Sequence, residues 1–410
     1  MNEESNQRPD ARPLYPISRL HLASMSDDLG LWQHAQGSAP NPGFGYCTDD
    51  VARAIVVDLL HFREGDTAEL DRSIRRSLRF VSDGFVAATG RFLNMRTADG
   101  VWLENEASED CHARTLVALA AVMNEMPSTE LAERAESLFE RALPAAASFG
   151  AIRSQSGAII ACDSAIAAGF PADETLESLT ADLASSFGEE TGAGGTQPFP
   201  QAGRGPVMLH ARGRDEHSGL YGQTGNQGPH GRREAALAEW LWPDQLLTYE
   251  NAIVPRALIA AGVRLARPAL VERGCAVLDW LIDVQTADSG IFTPIGNSNW
   301  WRRGNQPSQF DQQPIEAATT LAAAVCAFGA TGRERYLDAA ESAYGWFLGD
   351  NDLGIAMADP VRGACFDGLM PAGPNENQGA ESTLMWLTAL EQMRQLRRET
   401  ESVASRRAHS

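Results

Sequence analysis

The stretch Gly45-Tyr46-Cys47-Thr48-Asp49-Asp50-Val51-Ala52-Arg53-Ala54-Ile55-Val56, GYCTDDVARAIV, sets two adjacent acids directly before an apolar run. A carboxylate suits a helix N-terminus, where free N–H groups and the helix dipole favour negative charge. Asp49 and Arg53 are four residues apart, so they share a helix face and form an ion pair. These effects account for one acid. Its neighbour lies about 100° round the helix and is left without a structural task.

The motif has an echo. Asp49-x-x-Ala52-Arg53-x-Ile55-Val56 matches Asp110-x-x-Ala113-Arg114-x-Leu116-Val117, and each copy begins on an acidic pair, Asp49-Asp50 and Glu109-Asp110. Looser echoes are Tyr249-Glu250-Asn251 before Pro255-Arg256-Ala257, Gln313-Pro314-Ile315-Glu316, and Gly379-Ala380-Glu381-Ser382. Repetition of this kind points to a closed or stacked repeat architecture. If Arg53 takes Asp49 and Arg114 takes Asp110, the spare acids are Asp50 and Glu109.

Helical periodicity predicts helices near 16–27, 49–62, 67–86, 109–125, 128–147, 158–168, 172–187, 249–265, 267–285, 312–329, 332–348 and 378–397, and a short one near 232–241. Those near 67–86, 128–147 and 332–348 carry charge on one face, as in Glu69, Asp71, Arg72 and Arg75, and are expected to be half exposed. Those near 49–62, 109–125, 249–265 and 312–329 are apolar nearly all round after an acidic start, and are expected to be buried. Alternation of the two kinds is the pattern of an inner and an outer helical ring, an all-α (α/α)6 toroid. Residues 90–95 and 100–103 read as a hairpin between two helices.

Hydrophobic residues make up 43% of the 410, enough for a large core and too many for global disorder. The net charge is −20, every basic residue is arginine, and Arg302-Arg303 is the kind of short basic run the chain offers. Nucleic-acid and anionic-membrane partners both need a basic face, so neither is expected. No window approaches the about 20 apolar residues of a membrane span, and MNEESNQRPDARP lacks an apolar signal core. The expected location is cytoplasmic. Cysteines 47, 111, 162, 275, 326 and 365 are widely spaced, with no CxxC, and are expected to be reduced thiols. Residues 188–231, rich in Gly, Pro and Gln and carrying His210, His217 and His230, read as a long insert, and 399–410 as a flexible tail.

Taken together, GYCTDDVARA, ASEDCHARTLVALA, LTYENAIVPRAL, FDQQPIEA, WFLGDNDLG and NENQGAESTL resemble a family of bacterial six-hairpin proteins. Its members stand alone or are fused to glycosyltransferases, and are often labelled glycosyltransferase-like. More distantly, the set is similar to the six-hairpin glycosidases. The resemblance implies one toroidal domain over 14–398, a small carbohydrate as ligand, and a glycosyltransferase as a partner.

Glycoside hydrolysis needs two carboxyl groups flanking the bond, one protonated and one ionised. The candidates are Asp50, Glu109, Glu250, Glu316 and Glu381, one of the pair from each half of the chain. Aromatics that stack on sugar faces are Tyr46, Trp102, Tyr249 and Trp300, with Trp301 beside the last. Asn105, Asn251, Gln312, Gln313, Asn377 and Gln378 offer amides to hydroxyls, and Asp49, Asp110, His112 and Asp367 complete the set. Core or hairpin packing is the alternative for Trp102 and Trp300, and a core position the alternative for His112. Toroidal sugar epimerases and isomerases use a histidine pair. Beyond His230 this chain has only His409, so such a pair lacks its C-terminal partner. No Cys/His cluster has zinc spacing, Asp350-Asn351-Asp352 reads as an Asx-turn and not a calcium loop, and no phosphate-binding glycine loop stands between a strand and a helix. No metal or cofactor is expected. The favoured reaction is hydrolysis with inversion. The alternative is a non-catalytic sugar-binding module.

Overall fold

The computed structural model describes residues 12–63, 67–103, 108–188 and 229–408. Asn105, His409 and residues 189–228 of the insert expected over 188–231 lie outside them, and the last residues of that stretch begin a helix. Thirteen helices occur among the described residues. They are α1 (Leu20–Ser24), α2 (Thr48–Phe62), α3 (Thr67–Asp83), α4 (Glu109–Glu125), α5 (Glu130–Ala142), α6 (Ile152–Ala167) and α7 (Asp173–Ser185). After the insert come α8 (Pro229–Ala238), α9 (Ile253–Arg264), α10 (Pro268–Val284), α11 (Pro314–Thr331), α12 (Glu334–Phe347) and α13 (Ala380–Ala408).

Helices α2, α4, α6, α9, α11 and α13 each pack on the next, and α13 packs back on α2, closing an inner ring. Helices α3, α5, α7, α10 and α12 each pack outside the inner helix that precedes them. The chain is therefore an (α/α)6 toroid. The sequence explains the division. Helix α3 buries Leu70, Ile74, Leu78 and Val81, one stripe at helical spacing, and turns Arg72 and Arg75 outward. Helix α11 buries residues on every side, from Ile315 and Glu316 to Ala327. On composition and length α11 could cross a membrane, closer to that limit than expected; here the ring buries it. Small residues let the inner helices approach: a Cβ on Gly157 of α6 would sit 3.0 Å from Ala113 Cβ of α4.

The sixth outer position is irregular. The helix expected over 16–27 is only the five residues of α1, because Pro13 and Pro16 hold the chain before it extended. This extended segment and α1 lie along α13. Arg394 donates to Tyr15 O at 3.0 Å, Arg397 to Arg12 O at 2.6 Å, and Tyr344 of α12 to Pro13 O at 3.1 Å. Helix α13 continues past 398 to Ala408, into the segment expected to be a tail. Helix α5 stops at Ala142 and tightens into a 3₁₀ turn over Leu143–Ser148, since Pro144 supplies no N–H. The expected 90–95/100–103 hairpin forms in part, with its register one residue or two further on: Arg96 bridges Trp102, Leu103 N bonds Met95 O and Thr97 N bonds Val101 O, while Arg91–Phe92 pairs instead with Phe85–Val86 and Met95–Arg96 also pairs with Tyr46–Cys47. These and other two-stranded pairs lie in the loops that lead into the inner helices. All six cysteines are free thiols, and all but Cys326 are buried.

Candidate active site

The inner helices begin at one end of the ring, and bonds between their first residues tie that rim together. At the start of α2, Gly45 takes a left-handed φ of 68°, and any Cβ there would collide with Arg96 O. Tyr46–Cys47 then pairs with Met95–Arg96, and Asn94 O accepts from Thr48 N at 2.7 Å, fixing where the helix starts.

Arg53 gathers three carboxylates. Its Nη1 lies 3.1 Å from Asp49 Oδ2 and 3.1 Å from Asp50 Oδ1, and its Nη2 lies 2.8 Å from Glu381 Oε2 of α13. The expected Asp49–Arg53 pair is present, but Asp50 shares it. Arg114 does not take Asp110. It reaches across the rim, donating to Asp49 at 2.9 Å and pairing with Glu250 just before α9. Glu316, at the start of α11, accepts from Glu250 N and from Asn251 Nδ2 at 3.3 Å. Asp110 accepts from Ser154 Oγ and from the Tyr249 hydroxyl, and the Arg153 guanidinium lies 4.2 Å from the centre of the Tyr249 ring.

Five carboxyl groups (Asp49, Asp50, Asp110, Glu250, Glu381) therefore share three guanidiniums, Arg53, Arg114 and Arg153, and a sixth, Glu316, joins them through the Glu250 N–H. The excess acids cannot all ionise in a buried site. Burial pushes Asp50 up to about 8; Arg53 opposes this, and the charges of Asp49 and Glu381 add to it. Burial also lifts Glu316 to about 7, against the hydrogen bonds it receives from the Glu250 and Asn251 amides. Asp49 is the reverse case. Burial would raise it, but Arg114 and then Arg53 hold it below its ordinary value. Asp110 is likewise held low despite burial, by the hydroxyls of Ser154 and Tyr249 and by Arg114 and Arg153. The Tyr249 phenol rises to about 12, chiefly by burial and by its bond to Asp110. The rim thus holds protonated and ionised carboxyls side by side at neutral pH. Glu381 is the most open of the six, its side chain 42% exposed against 18% for Asp110 and 6% for Asp50.

Backbone strain sits in the same loops. Glu250 (φ 54°), Trp300 (φ 52°) and Asp311 (φ 61°) adopt left-handed conformations that side chains of this size seldom take. Such strain persists where surrounding structure over-determines it, and it concentrates at functional sites. It also explains why α9 starts at Ile253 and not at 249: Tyr249–Ala252 forms a turn, with Ile253 N bonding to Glu250 O.

Several expected site residues do other work. Glu109 accepts from Gly150 N and Ala151 N at 3.0 Å each, capping the entry to α6; the acid its pair offers to the rim is Asp110. His112 bonds Ala142 O at 3.1 Å between the rings of Phe92 and Phe149, a core position. Tyr46 is buried, stacked on Trp32 and bonded to Asp27 at 2.6 Å, so it has no face to offer a sugar. Trp102 packs on Phe80, with Arg96 over it. Gln312 is buried with both ends of its amide occupied, by Trp346 at one and by Gln309 O and Asp352 at the other. Asp367 caps α13 through Gly379 N and Ser382 Oγ, both at 2.7 Å. Asn377 accepts from Gly37 N at 3.0 Å, and Gln378 is buried with its carbonyl on His21. Gln313 is the half-buried residue before α11. Asn251 props Glu316 and the Thr248 turn. Asn351 accepts from Leu353 N and Ile355 N, an Asx-turn, while Asp350 and Asp352 point to Arg12 and to Thr293.

Arg153 and Ser154 were not foreseen. The available signal was an anomaly: α6 has no acid in its first turn and carries an arginine there, against the helix dipole. Arg153 is tolerated because Asp110, Thr248 and the Tyr249 ring surround it.

The chain matches no protein-family profile and no curated protein. Among solved structures it is similar to a sugar epimerase from a ruminal bacterium, at 11% identity and TM-score 0.61, over 92% of this chain and 97% of that one. A cellobiose 2-epimerase from Spirochaeta thermophila DSM 6192 matches at 14% identity and TM-score 0.59, over 92% of this chain and 93% of that one. A cellulase of C. cellulolyticium in complex with cellobiose matches at 8% identity and TM-score 0.52, over 90% and 89%. At these identities the likeness is one of fold.

Proposed function

We propose that this chain is a carbohydrate-active enzyme that hydrolyses a glycosidic bond with inversion, Asp50 acting as general acid and Glu381 as general base. The observation that carries the reading is the shared guanidinium of Arg53. It holds a buried carboxyl that keeps its proton to about pH 8 and, on its other nitrogen, the most open carboxylate of the rim. The two come from opposite ends of the chain, α2 and α13. Asp50 gives its proton to the glycosidic oxygen as the C–O bond breaks. Glu381 takes a proton from the water whose oxygen bonds to the anomeric carbon from the opposite face. One water is consumed, and solvent returns the proton from Glu381 to Asp50. Inversion requires the carboxyl groups to stand about 6.5–9.5 Å apart across the sugar. The Tyr249–Asp110 pair is suited to binding sugar hydroxyls.

Epimerisation is the second reading, favoured by the epimerases among the similar structures. Against it, three of the four histidines with described side chains are bonded to other partners, His21 to Gln378 O, His61 to Arg19 and His112 to Ala142 O, which leaves His34, edge-on to Phe44, as a single histidine and not a pair. NMR of reactions with gluco- and manno-oligosaccharides in deuterated water separates the readings. Hydrolysis gives shorter chains whose first-formed anomer is inverted. Asp50→Asn and Glu381→Gln should each lower kcat by about 10²–10⁴-fold while keeping the fold. Chains of unchanged length with deuterium at a ring carbon would overturn hydrolysis in favour of epimerisation, and binding without turnover would leave a sugar-binding module.

A further inference from the structure

We propose that the loop after Gly296 builds a separate saccharide subsite around Trp300, so that the substrate is an oligosaccharide longer than a disaccharide; this rests on the carbohydrate reading above. A cavity of about 430 Å³ is lined by Leu246, Asn299, Trp300, Arg302, Asn305 and Gln306. That volume suits a small organic ligand. Beside the apolar Leu246, its wall is one half-buried indole ringed by three amides and a single guanidinium, groups that donate to or accept from hydroxyls, with no carboxylate among them. This is a binding surface and not a catalytic one.

Two features show that the indole is placed by construction. Trp301, its neighbour, is buried, stacked on Trp280 and edge-on to Trp240, and donates to Asn305 O at 2.7 Å. That anchor leaves Trp300 at the cavity. Its backbone is then held in the left-handed region, with its carbonyl accepting from Ser308 N at 3.1 Å and its Nε1 donating to Asn297 Oδ1. A tryptophan whose sole task were packing would have no reason to sit in a strained backbone beside an open cavity.

The cavity adjoins the rim. Leu246 pairs with Arg302 and Leu247 with Trp301. The same segment reaches Tyr249 three residues on, a span of at most about 10 Å. A linear saccharide whose reacting bond lies at Asp50 and Glu381 would therefore carry its distal units past Tyr249 toward Trp300.

The test is calorimetric titration of the whole chain with linear gluco- and manno-oligosaccharides from the disaccharide upward. The wild type should bind a longer chain at least roughly tenfold more tightly than the disaccharide, as expected for an aromatic anchor in a pocket. Trp300→Ala should lose that gain and keep disaccharide affinity. Trp300→Gly relieves the backbone strain, so it should fold with an undiminished melting temperature and lose the same gain. Affinity that does not grow with length, or a gain kept in both variants, overturns the subsite and leaves the catalytic reading standing. Absence of binding by every saccharide overturns both.

Discussion

Replacing Asp50 by Asn tests the electrostatics of the rim without touching its shape. The new amide oxygen still accepts from Arg53, and the amide imitates the protonated carboxyl. In the wild type the folded state holds a proton on Asp50 up to about pH 8, whereas the unfolded chain releases it near 3.8. Between those values the native state binds the extra proton, so raising the pH withdraws stability. The contribution is fully present below about pH 4 and is lost by pH 8. Each unit is worth about 1.4 kcal/mol, so the three units from pH 5 to pH 8 amount to about 4 kcal/mol. Unfolding entropy of about 2.1 cal/mol/K per residue over this length turns that into about 5 °C. The Asp50→Asn variant has no such slope. Melting temperatures of the two proteins at pH 5, 6.5 and 8 should therefore diverge, the variant gaining about 5 °C relative to the wild type across the range. Glu316 and the other titrating groups are common to both and cancel. The same ionisation should cut wild-type turnover above about pH 8. Parallel profiles would mean that Arg53 keeps Asp50 ionised in the folded state, and the assignment of the general acid would fall with them.

Arg53→Ala removes the guanidinium shared by Asp49, Asp50 and Glu381. Asp49 keeps Arg114 and Asp50 is neutral, so the loss should fall at the low end for a broken buried pair, about 3 kcal/mol, and denaturant titration should show it shrinking as acid protonates Asp49. Glu109→Ala removes the cap on Gly150 and Ala151 and should lower stability by about 1 kcal/mol with kcat unchanged, which separates it from the rim acids.

The ring could be read from the sequence because burial leaves a periodic trace. Helices apolar on all sides, such as α2 and α11, alternate with striped ones such as α3, and the DDVAR and EDCHAR echoes mark where inner helices begin. Side-chain aim leaves no such trace. Which acid of Glu109-Asp110 enters the cavity depends on the loop over residues 149–151, whose amides claim Glu109. Arg114 reaches Glu250 across the ring, and no spacing along one helix encodes that distance. Candidate aromatics and amides were recognisable by type, but Tyr46 and Gln312 found partners in the core. The short α1 also escaped the pattern, because its place is filled by extended chain.

That extended chain has a consequence for assembly. The first described residues lie against α13, through bonds spanning 379 and 385 positions, and against α12, through one spanning 331, and α2 needs α13 as its neighbour. A solenoid built of the same hairpins would gain order one unit at a time and could be shortened by one. This ring has no penultimate form of comparable standing: until α13 arrives, α2 and α11 each show an uncovered apolar flank. Closure rests on the contacts of greatest sequence separation in the ring, the kind whose loop-closure entropy slows folding. The Arg53–Glu381 contact is made at that seam, so the proposed site is complete only when the ring has closed.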